Sequence, residues 1–198
     1  RANPGDDVAS VIANAVIDGQ PIGEMEALGY YVIVATAGHD TTSASTAGGL
    51  LALMQNPEQM NKLRNDLSLL PHAIEEMFRW ETPVKHFLRT ATEDYTLRGR
   101  SIKEGDRLMM MYASGNRDEE VFNNPFEFQV DRRPNKQIAF GYGVHRCLGH
   151  LLAKMEMSAF YKALLERTTD IQLNGDPAWI HATFVSGLKR LPVRFIAR

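Results

Sequence analysis

The sequence predicts a mainly α-helical chain that also contains small β-sheets. Apolar residues recur at three- and four-residue spacing through most of the first 80 residues, which is the periodicity of amphipathic helices. From Pro83 onward, short extended segments alternate with turn residues. A further helical pattern occupies about Cys147 to Arg167.

The first long helix is predicted from Glu24 to about Gln55. Glu24 and Glu26 suit the positive end of the helix dipole in its first turn. Its centre, residues 37–43, is small and polar and has low helix propensity, so it requires a separate explanation. The apolar residues that recur along the helix are Met25, Leu28, Val32, Ala35, Leu50, Leu53 and Met54.

Two shorter helices are predicted next. Asn56, Pro57 and Gln59 indicate a helix start, with Asn56 as the N-cap and Pro57 at the first helical position. Another short helix is predicted after Pro71. The residues expected to face the core in these helices are Met60, Leu63, Leu67, Ile74, Met77 and Phe78.

Extended segments are predicted at residues 84–90, 95–97 and 108–112, and short strands within residues 171–196. Residues 116–135 are rich in turn formers and predict an ordered, irregular segment. In the final helix the residues expected to face inward are Leu148, Leu151, Leu152, Met155, Ala159 and Leu164.

The composition narrows the classes of function. Lys and Arg number 22 against 24 Asp and Glu, and the net charge of −2 argues against a nucleic-acid binder held by phosphate contacts. The single cysteine excludes an internal disulfide and a multi-cysteine zinc site. The most apolar stretch, residues 28–38, is too short to span a bilayer.

The segment around the cysteine carries the most chemical information. Gly141 and Gly143 permit positive φ angles and close backbone approach, as a tight loop beneath a flat ligand requires. Cys147 is expected to open the following helix, where unpaired amide groups favour a thiolate. A thiolate in that position can act as a nucleophile or as a metal ligand.

Other interpretations of Cys147 remain open from the residues alone. It can be a small buried hydrophobic residue. It can be a hydrolase nucleophile with His145 or His150 as its base, although no third group evidently orients either histidine. A zinc site made of these three residues would lack a fourth protein ligand.

Residues 140–149 resemble the cysteine-loop signature of the cytochrome P450 superfamily, the haem-thiolate monooxygenases. The signature, Phe-x-x-Gly-x-x-x-Cys-x-Gly, is met by Phe140, Gly143, Cys147 and Gly149. Three more segments match that superfamily in the same order. They are residues 37–41, resembling the oxygen-activating centre of its long distal helix, Glu76 to Arg79, resembling its Glu-x-x-Arg motif, and Phe128 to Arg132, resembling its meander.

The resemblance implies a fold class that is mainly α with small β-sheets, the C-terminal half of the P450 fold. Residues 1–198 would be a single partial domain of the bacterial, soluble type, with the N-terminal half absent. The resemblance also implies haem b (iron protoporphyrin IX) as cofactor, with the Cys147 thiolate as its axial metal ligand. Arg89 and His145 stand where the family places partners of the haem propionates. The cofactor-binding residues expected on this basis are Arg89, Phe140, Gly141, His145, Cys147 and Gly149.

The same resemblance assigns roles to polar residues outside the loop. Asp40 and Thr41 would form an acid–alcohol pair that delivers protons during catalysis. The alternative is a solvent-facing break or a helix contact of small residues. A second group, Glu76, Arg79 and Arg132, would form a buried network that holds the meander and the cysteine loop.

Arg133 competes with Arg132 for the third position of that network. The reason is that Gln129 replaces the aspartate usual in the meander motif. An exposed Glu76–Arg79 pair of little energetic value is the alternative to a buried network.

The implied function is insertion of one oxygen atom from O2 into a hydrophobic terpenoid-, steroid- or fatty-acid-like substrate. A truncated, non-catalytic haem-binding module is the alternative. The expected partners are a ferredoxin-type electron donor, for which Arg146 and Lys154 are candidate contacts, and no nucleic acid. A cytoplasmic protein without a membrane span in this chain is expected. The candidate substrate residues are Tyr30, Val34, Val84, Phe87 and Val185.

Overall fold

Six α-helices and five two-stranded antiparallel sheets make up the structure, a computed structural model that describes residues 1–198. This combination of helices and small sheets confirms the fold class predicted from the sequence. The chain divides into two compact units, residues 1–40 and residues 41–198.

The first unit is small and begins with helix α1, Val8–Ala13. The Asp7 side chain caps this helix by accepting a hydrogen bond of 2.7 Å from the Ser10 amide. Strands β1 (Val16–Ile17) and β2 (Gln20–Pro21) form a hairpin. The N-terminal part of helix α2, Glu24–Gln55, completes the unit.

Helix α2 is continuous over the range predicted for it. Its C-terminal half buries Leu50 and Leu53, as predicted, and Met54 is partly buried. Its N-terminal half instead exposes four residues of the predicted apolar stripe, namely Met25, Leu28, Val32 and Ala35. No helix of the structure, α2 included, combines the length and apolar character needed to cross a membrane.

The second unit is built on helices α3 (Pro57–Asn65), α4 (Leu70–Glu81) and α6 (His150–Arg167), together with the C-terminal part of α2. Asn56 precedes α3 as predicted, but its side chain makes no cap and donates to the Ala52 carbonyl at 2.8 Å. The core includes Leu53, Met60, Leu63, Ile74, Met77, Phe78, Phe128, Val130, Met157, Tyr161 and Leu165.

Helix α6 corrects two expectations. It begins at His150, so Cys147 lies three residues before the helix and does not open it. The residues predicted to face inward are mostly exposed: Leu148, Leu151, Leu152, Met155 and Ala159 are exposed, and Leu164 is partly buried. Met157, Tyr161 and Leu165 form the buried face instead. A helical period identifies an apolar face but not the surface that covers it.

The strands match the predicted segments closely. The pairs are β3 (His86–Thr90) with β6 (Arg107–Met111), β4 (Tyr95–Leu97) with β5 (Arg100–Ile102), β7 (Thr168–Leu173) with β10 (Val193–Ala197), and β8 (Ala178–Trp179) with β9 (Leu188–Arg190). A short helix, α5 (Tyr112–Gly115), follows β6. Residues 116–135 form neither helix nor strand, as predicted.

Candidate functional site

The cysteine loop folds back on itself in the second unit. Gly141 and Gly143 both have positive φ, 71° and 73°, which a residue with a side chain adopts only with strain. The Cys147 amide donates to the Phe140 carbonyl at 2.9 Å and closes the loop. Cys147 is a free cysteine and is exposed.

Closure of the loop explains why Cys147 stands apart from α6. Its amide is already bonded to Phe140, and Gly149 takes the N-cap position of the helix. The His150 Nδ1 atom lies 2.9 Å from the Cys147 carbonyl oxygen and ties the first helical residue back to the loop. The unpaired amides of the first helical turn therefore begin beyond the cysteine.

Exposed apolar side chains lie near Cys147 in the sequence, on both sides of it. Val144 is 98% exposed and Leu148 93% exposed. Tyr142, Leu151, Leu152 and Met155 are exposed with them. A flat apolar ligand covering these side chains would gain hydrophobic free energy in proportion to the area removed from water.

Phe140 is held in place by contacts on several sides. Its ring centroid lies 4.5 Å from that of Phe78 on α4 and 6.0 Å from the His150 ring. The Lys154 Nζ atom lies 5.3 Å from the same ring centroid. The residue that begins the cysteine loop is thus packed against both α4 and α6.

A buried charged network joins α4 to the segment before the loop. The Glu76 carboxylate accepts from Arg79 Nε at 2.7 Å and Nη2 at 2.6 Å, and from Arg132 Nε at 3.0 and 3.1 Å. Glu76 and Arg79 are fully buried and Arg132 is 6% exposed. The structure therefore brings together the three residues that the sequence analysis grouped, and Arg133 lies exposed outside the network.

Asn116 is a buried linking residue that the sequence analysis missed. Its side chain donates to Thr82 Oγ1 and accepts from the Ile138 amide, each at 2.8 Å, and its carbonyl accepts from Arg79 at 2.9 Å. It thereby connects the end of α4 to the segment that leads into the cysteine loop. Its only sequence signal is a position in a turn-rich segment, which does not distinguish it from exposed turn residues.

The residues expected to meet haem propionates carry no carboxylate partner in the chain. Arg89 is partly buried on β3, and its Nη1 atom donates to the neighbouring Leu88 carbonyl at 2.8 Å. His145 ends the short 3₁₀ turn of the loop and is exposed. Both side chains can donate hydrogen bonds to an anionic ligand group, and their role stays a prediction.

Three of the candidate substrate residues lie around two adjoining segments of the second unit. Val84 and Val185 pair through an isolated antiparallel bridge. The Phe87 ring lies 5.2 Å from Phe184 and 6.1 Å from Tyr112, measured between ring centroids. These side chains form an aromatic and aliphatic cluster that suits an apolar ligand.

The candidate residues of the first unit lie on α2. Tyr30 and Val34 are exposed, at 47% and 44%. The Asp40 carboxylate lies 2.7 Å from His39 Nδ1, a pairing that the sequence analysis did not anticipate. Thr41, the first residue of the second unit, is partly buried.

A buried carboxyl group lies at the end of α4, next to the substrate segment. Glu81 is 7% exposed and its Oε1 atom accepts no hydrogen bond. A Cβ atom at Gly48 would come within 2.1 Å of Glu81 Oε2, so the carboxyl group fits because residue 48 is glycine. Burial raises the pKa of Glu81, and the charges of Lys85 and Arg117 offset part of this effect.

The geometry gives little support to hydrolase or zinc chemistry. His150 bonds to the carbonyl of Cys147 and not to its sulfur, and His145 makes no side-chain hydrogen bond that would orient it as a base. No group of three or more His, Cys, Asp or Glu side chains is arranged to hold a metal ion. The single exposed sulfur in an apolar surface fits a flat, metal-centred cofactor such as haem.

The site thus presents one free, exposed cysteine directly after a glycine bend. A family model described as cytochrome P450 matches residues 18–177, and the chain belongs to that family. Members of the family bind haem through a cysteine thiolate, and Cys147 is the only cysteine of this chain.

Individual relatives agree with this assignment. The chain is 48% identical over 195 residues to cytochrome P450-terp of a Pseudomonas species, with 98% of this chain and 46% of that protein covered. It is 40% identical to a steroid C26-monooxygenase of Mycolicibacterium smegmatis, with 98% and 49% covered.

A solved structure gives the same result for the fold. A cytochrome P450 of Novosphingobium aromaticivorans superposes with a TM-score of 0.94 at 48% identity, covering all of this chain and 48% of that one. The chain spans about half the length of the relatives it matches.

Proposed function

We propose that the chain forms the haem-ligating part of a monooxygenase, with Cys147 as the axial ligand of haem b. The single observation that carries this proposal is the exposed Cys147 sulfur, presented by a glycine bend within an apolar surface. Bound haem would supply the chemistry of O2 activation. The net reaction takes substrate C–H, O2, two electrons and two protons to an alcohol and one water.

The residues around the loop would bind and orient the cofactor. The backbone at Gly141 and Gly149 offers space for close approach, because a Cβ at residue 149 would meet nothing within 4 Å and one at residue 141 only ordinary contacts. Phe140 would exclude water from the sulfur. Arg89 and His145 would bind the anionic propionates.

Asp40 and Thr41 would hold and deliver protons at the oxygen-binding side. The contact of Asp40 with His39 Nδ1 at 2.7 Å supports this role, because both side chains are exposed and the carboxylate can exchange protons with water. Replacing Thr41 by alanine should leave haem binding intact and divert reducing equivalents to peroxide. Unchanged coupling of electron use to product would count against this role.

The substrate is proposed to be a hydrophobic molecule of terpenoid, steroid or fatty-acid type. The apolar character of Tyr30, Val34, Val84, Phe87 and Val185 supports this class. A relative named as a steroid C26-monooxygenase is consistent with it.

The electron donor is proposed to be an acidic, ferredoxin-type protein. Arg146 is exposed beside the cysteine and suits such a surface. Lys154, the other cation named for this purpose, is already paired with Glu75. The cytoplasmic location expected from the sequence stays a prediction.

The test is oxygen insertion by the haem-loaded, full-length protein that carries this chain. With reductant, 18O2 and a panel of terpenoids, steroids and fatty acids, one labelled oxygen atom should enter the product. Haem binding with no oxygen insertion across the panel and with cognate donors would instead support a non-catalytic haem-binding module.

A further inference from the structure

An ion pair lies behind the residue that begins the cysteine loop. Lys154 of α6 pairs with the Glu75 carboxylate of α4, and the two side chains are 26% and 27% exposed. The cationic end lies over the Phe140 ring, 5.3 Å from its centroid. Both charges are therefore partly shielded from solvent and face a defined neighbour.

The anionic end is fixed from the other side by Gln137. Its Nε2 atom donates to Glu75 Oε2 at 2.9 Å, and its Oε1 atom accepts from the Ala139 amide at 2.7 Å. Residues 137–140 thus hold Glu75 by a hydrogen bond and Lys154 by a ring contact. The orientation of the charge pair is set by the same segment of chain that leads into the loop.

Phe140 contacts both this ion pair and Cys147. The Phe140 carbonyl accepts the Cys147 amide hydrogen bond at 2.9 Å, so the ring that contacts Lys154 belongs to the residue bonded to Cys147. The same ring also packs against Phe78, at 4.5 Å between centroids, and against His150, at 6.0 Å. These two contacts do not involve the ion pair and remain when its charges are changed.

We propose that Lys154 and Glu75 act by their opposed charges to set how readily the iron bound at Cys147 is reduced. This inference rests on the proposed function. Reduction adds one electron and neither forms nor breaks a bond, so a nearby positive charge favours the reduced state and a negative charge the oxidised state. In the intact pair the two effects largely cancel.

The test is a mediated reductive titration with dithionite of the haem-loaded, full-length protein. Lys154→Met leaves the charge of Glu75 uncompensated and should lower the equilibrium constant for reduction about threefold. At 59 mV per tenfold change for one electron, this lowers the reduction potential by ~28 mV. Glu75→Gln leaves Lys154 uncompensated and should raise it by a similar factor. The double variant should return close to the wild-type potential.

Two controls separate charge from structure. Lys162→Met removes an exposed cation from the same helix and should leave the potential unchanged. Lys154→Arg keeps the charge and should behave like the wild type. If Lys154→Met does not fold, the comparison of Glu75→Gln with Lys154→Arg still tests the sign of the shift in reduction potential.

Shifts of the same sign in both single variants, or no shift in either, would overturn the inference. A wild-type protein without the spectrum of a cysteine-ligated haem would overturn the proposed function itself, and the inference with it. The spectrum therefore distinguishes the two failures.

Discussion

Replacing Glu76 by glutamine should destabilise the protein strongly, because two buried cations converge on that carboxylate. Arg79 and Arg132 donate four hydrogen bonds to it, at 2.6 to 3.1 Å, and the Gln129 amide and Asn135 side chain donate at 3.0 and 3.1 Å. An amide in that position removes the negative charge and turns an NH2 group towards the arginine donors. The substitution therefore leaves two buried guanidinium groups without a counter-charge.

Removing one partner of a buried ion pair costs about 3–5 kcal/mol. A free energy of unfolding in the common range of roughly 5–15 kcal/mol would fall by a large fraction. The shift in melting temperature per kcal/mol becomes smaller as the protein becomes larger, so for the full-length protein we expect the melting temperature to fall by several degrees. The assay is urea and thermal unfolding of the haem-loaded, full-length protein followed by circular dichroism.

Glu120→Gln is the matched control for that measurement. Glu120 also receives two hydrogen bonds from one arginine, Arg98, at 3.0 and 2.6 Å, but both side chains are exposed to solvent. Because exposed pairs contribute little, its unfolding midpoint should match the wild type. Coincident midpoints for Glu76→Gln and Glu120→Gln would refute the claim that the buried network holds the fold.

Two further predictions concern the contact between α4 and α2. Glu81→Gln should raise the free energy of unfolding at neutral pH. Burial raises the pKa of Glu81 in the folded state above the ordinary 4.5, so the wild type loses stability as the pH rises through that folded-state pKa. A pH series in which the free energies of unfolding of both proteins vary alike would count against this prediction. Gly48→Ala should lower the free energy of unfolding by about 1–3 kcal/mol, because its Cβ would overlap the Glu81 carboxyl group, whereas Gly29→Ala on the open surface of the same helix should not. Equal unfolding midpoints for the two alanine variants would show that residue 48 has room for a side chain.

Much of the fold follows from local sequence signals. The period of the apolar residues predicts α2 over Glu24–Gln55, and alternating turn and extended segments predict most of the strands, although not their pairing. The spacing of Glu76 and Arg79 places them on one helix face, where the structure finds them bonded. Such signals are local, so one sequence suffices to reveal them.

What the sequence could not predict depends on contacts between distant segments. The apolar face of α6 at Leu151, Leu152 and Met155 is exposed. The sequence could not predict this, because periodicity identifies an apolar face but not the surface that covers it. The exclusion of Cys147 from α6 depends on its amide bonding to Phe140. The burial of Asn116 depends on partners from two other segments, and nothing in the neighbouring sequence indicates that it is buried.

The charge pair behind the loop is a further example of a long-range contact. Glu75 and Lys154 are far apart in the chain and belong to different helices, so no helical spacing relates them. The sequence alone therefore predicts that Lys154 is a cation available to an electron donor. The structure shows it paired, and this changes what its substitution should do.

The absorbance spectrum of the ferrous–CO form of the haem-loaded, full-length protein reports whether the Cys147 sulfur binds the haem iron. The wild type should show the red-shifted Soret band of a cysteine-thiolate haem, and Cys147→Ser should lose it. Lys162→Met, a change of an exposed residue on α6 that has no role in the site, should keep it. Persistence of the band in Cys147→Ser would contradict the assignment of this sulfur as the iron ligand.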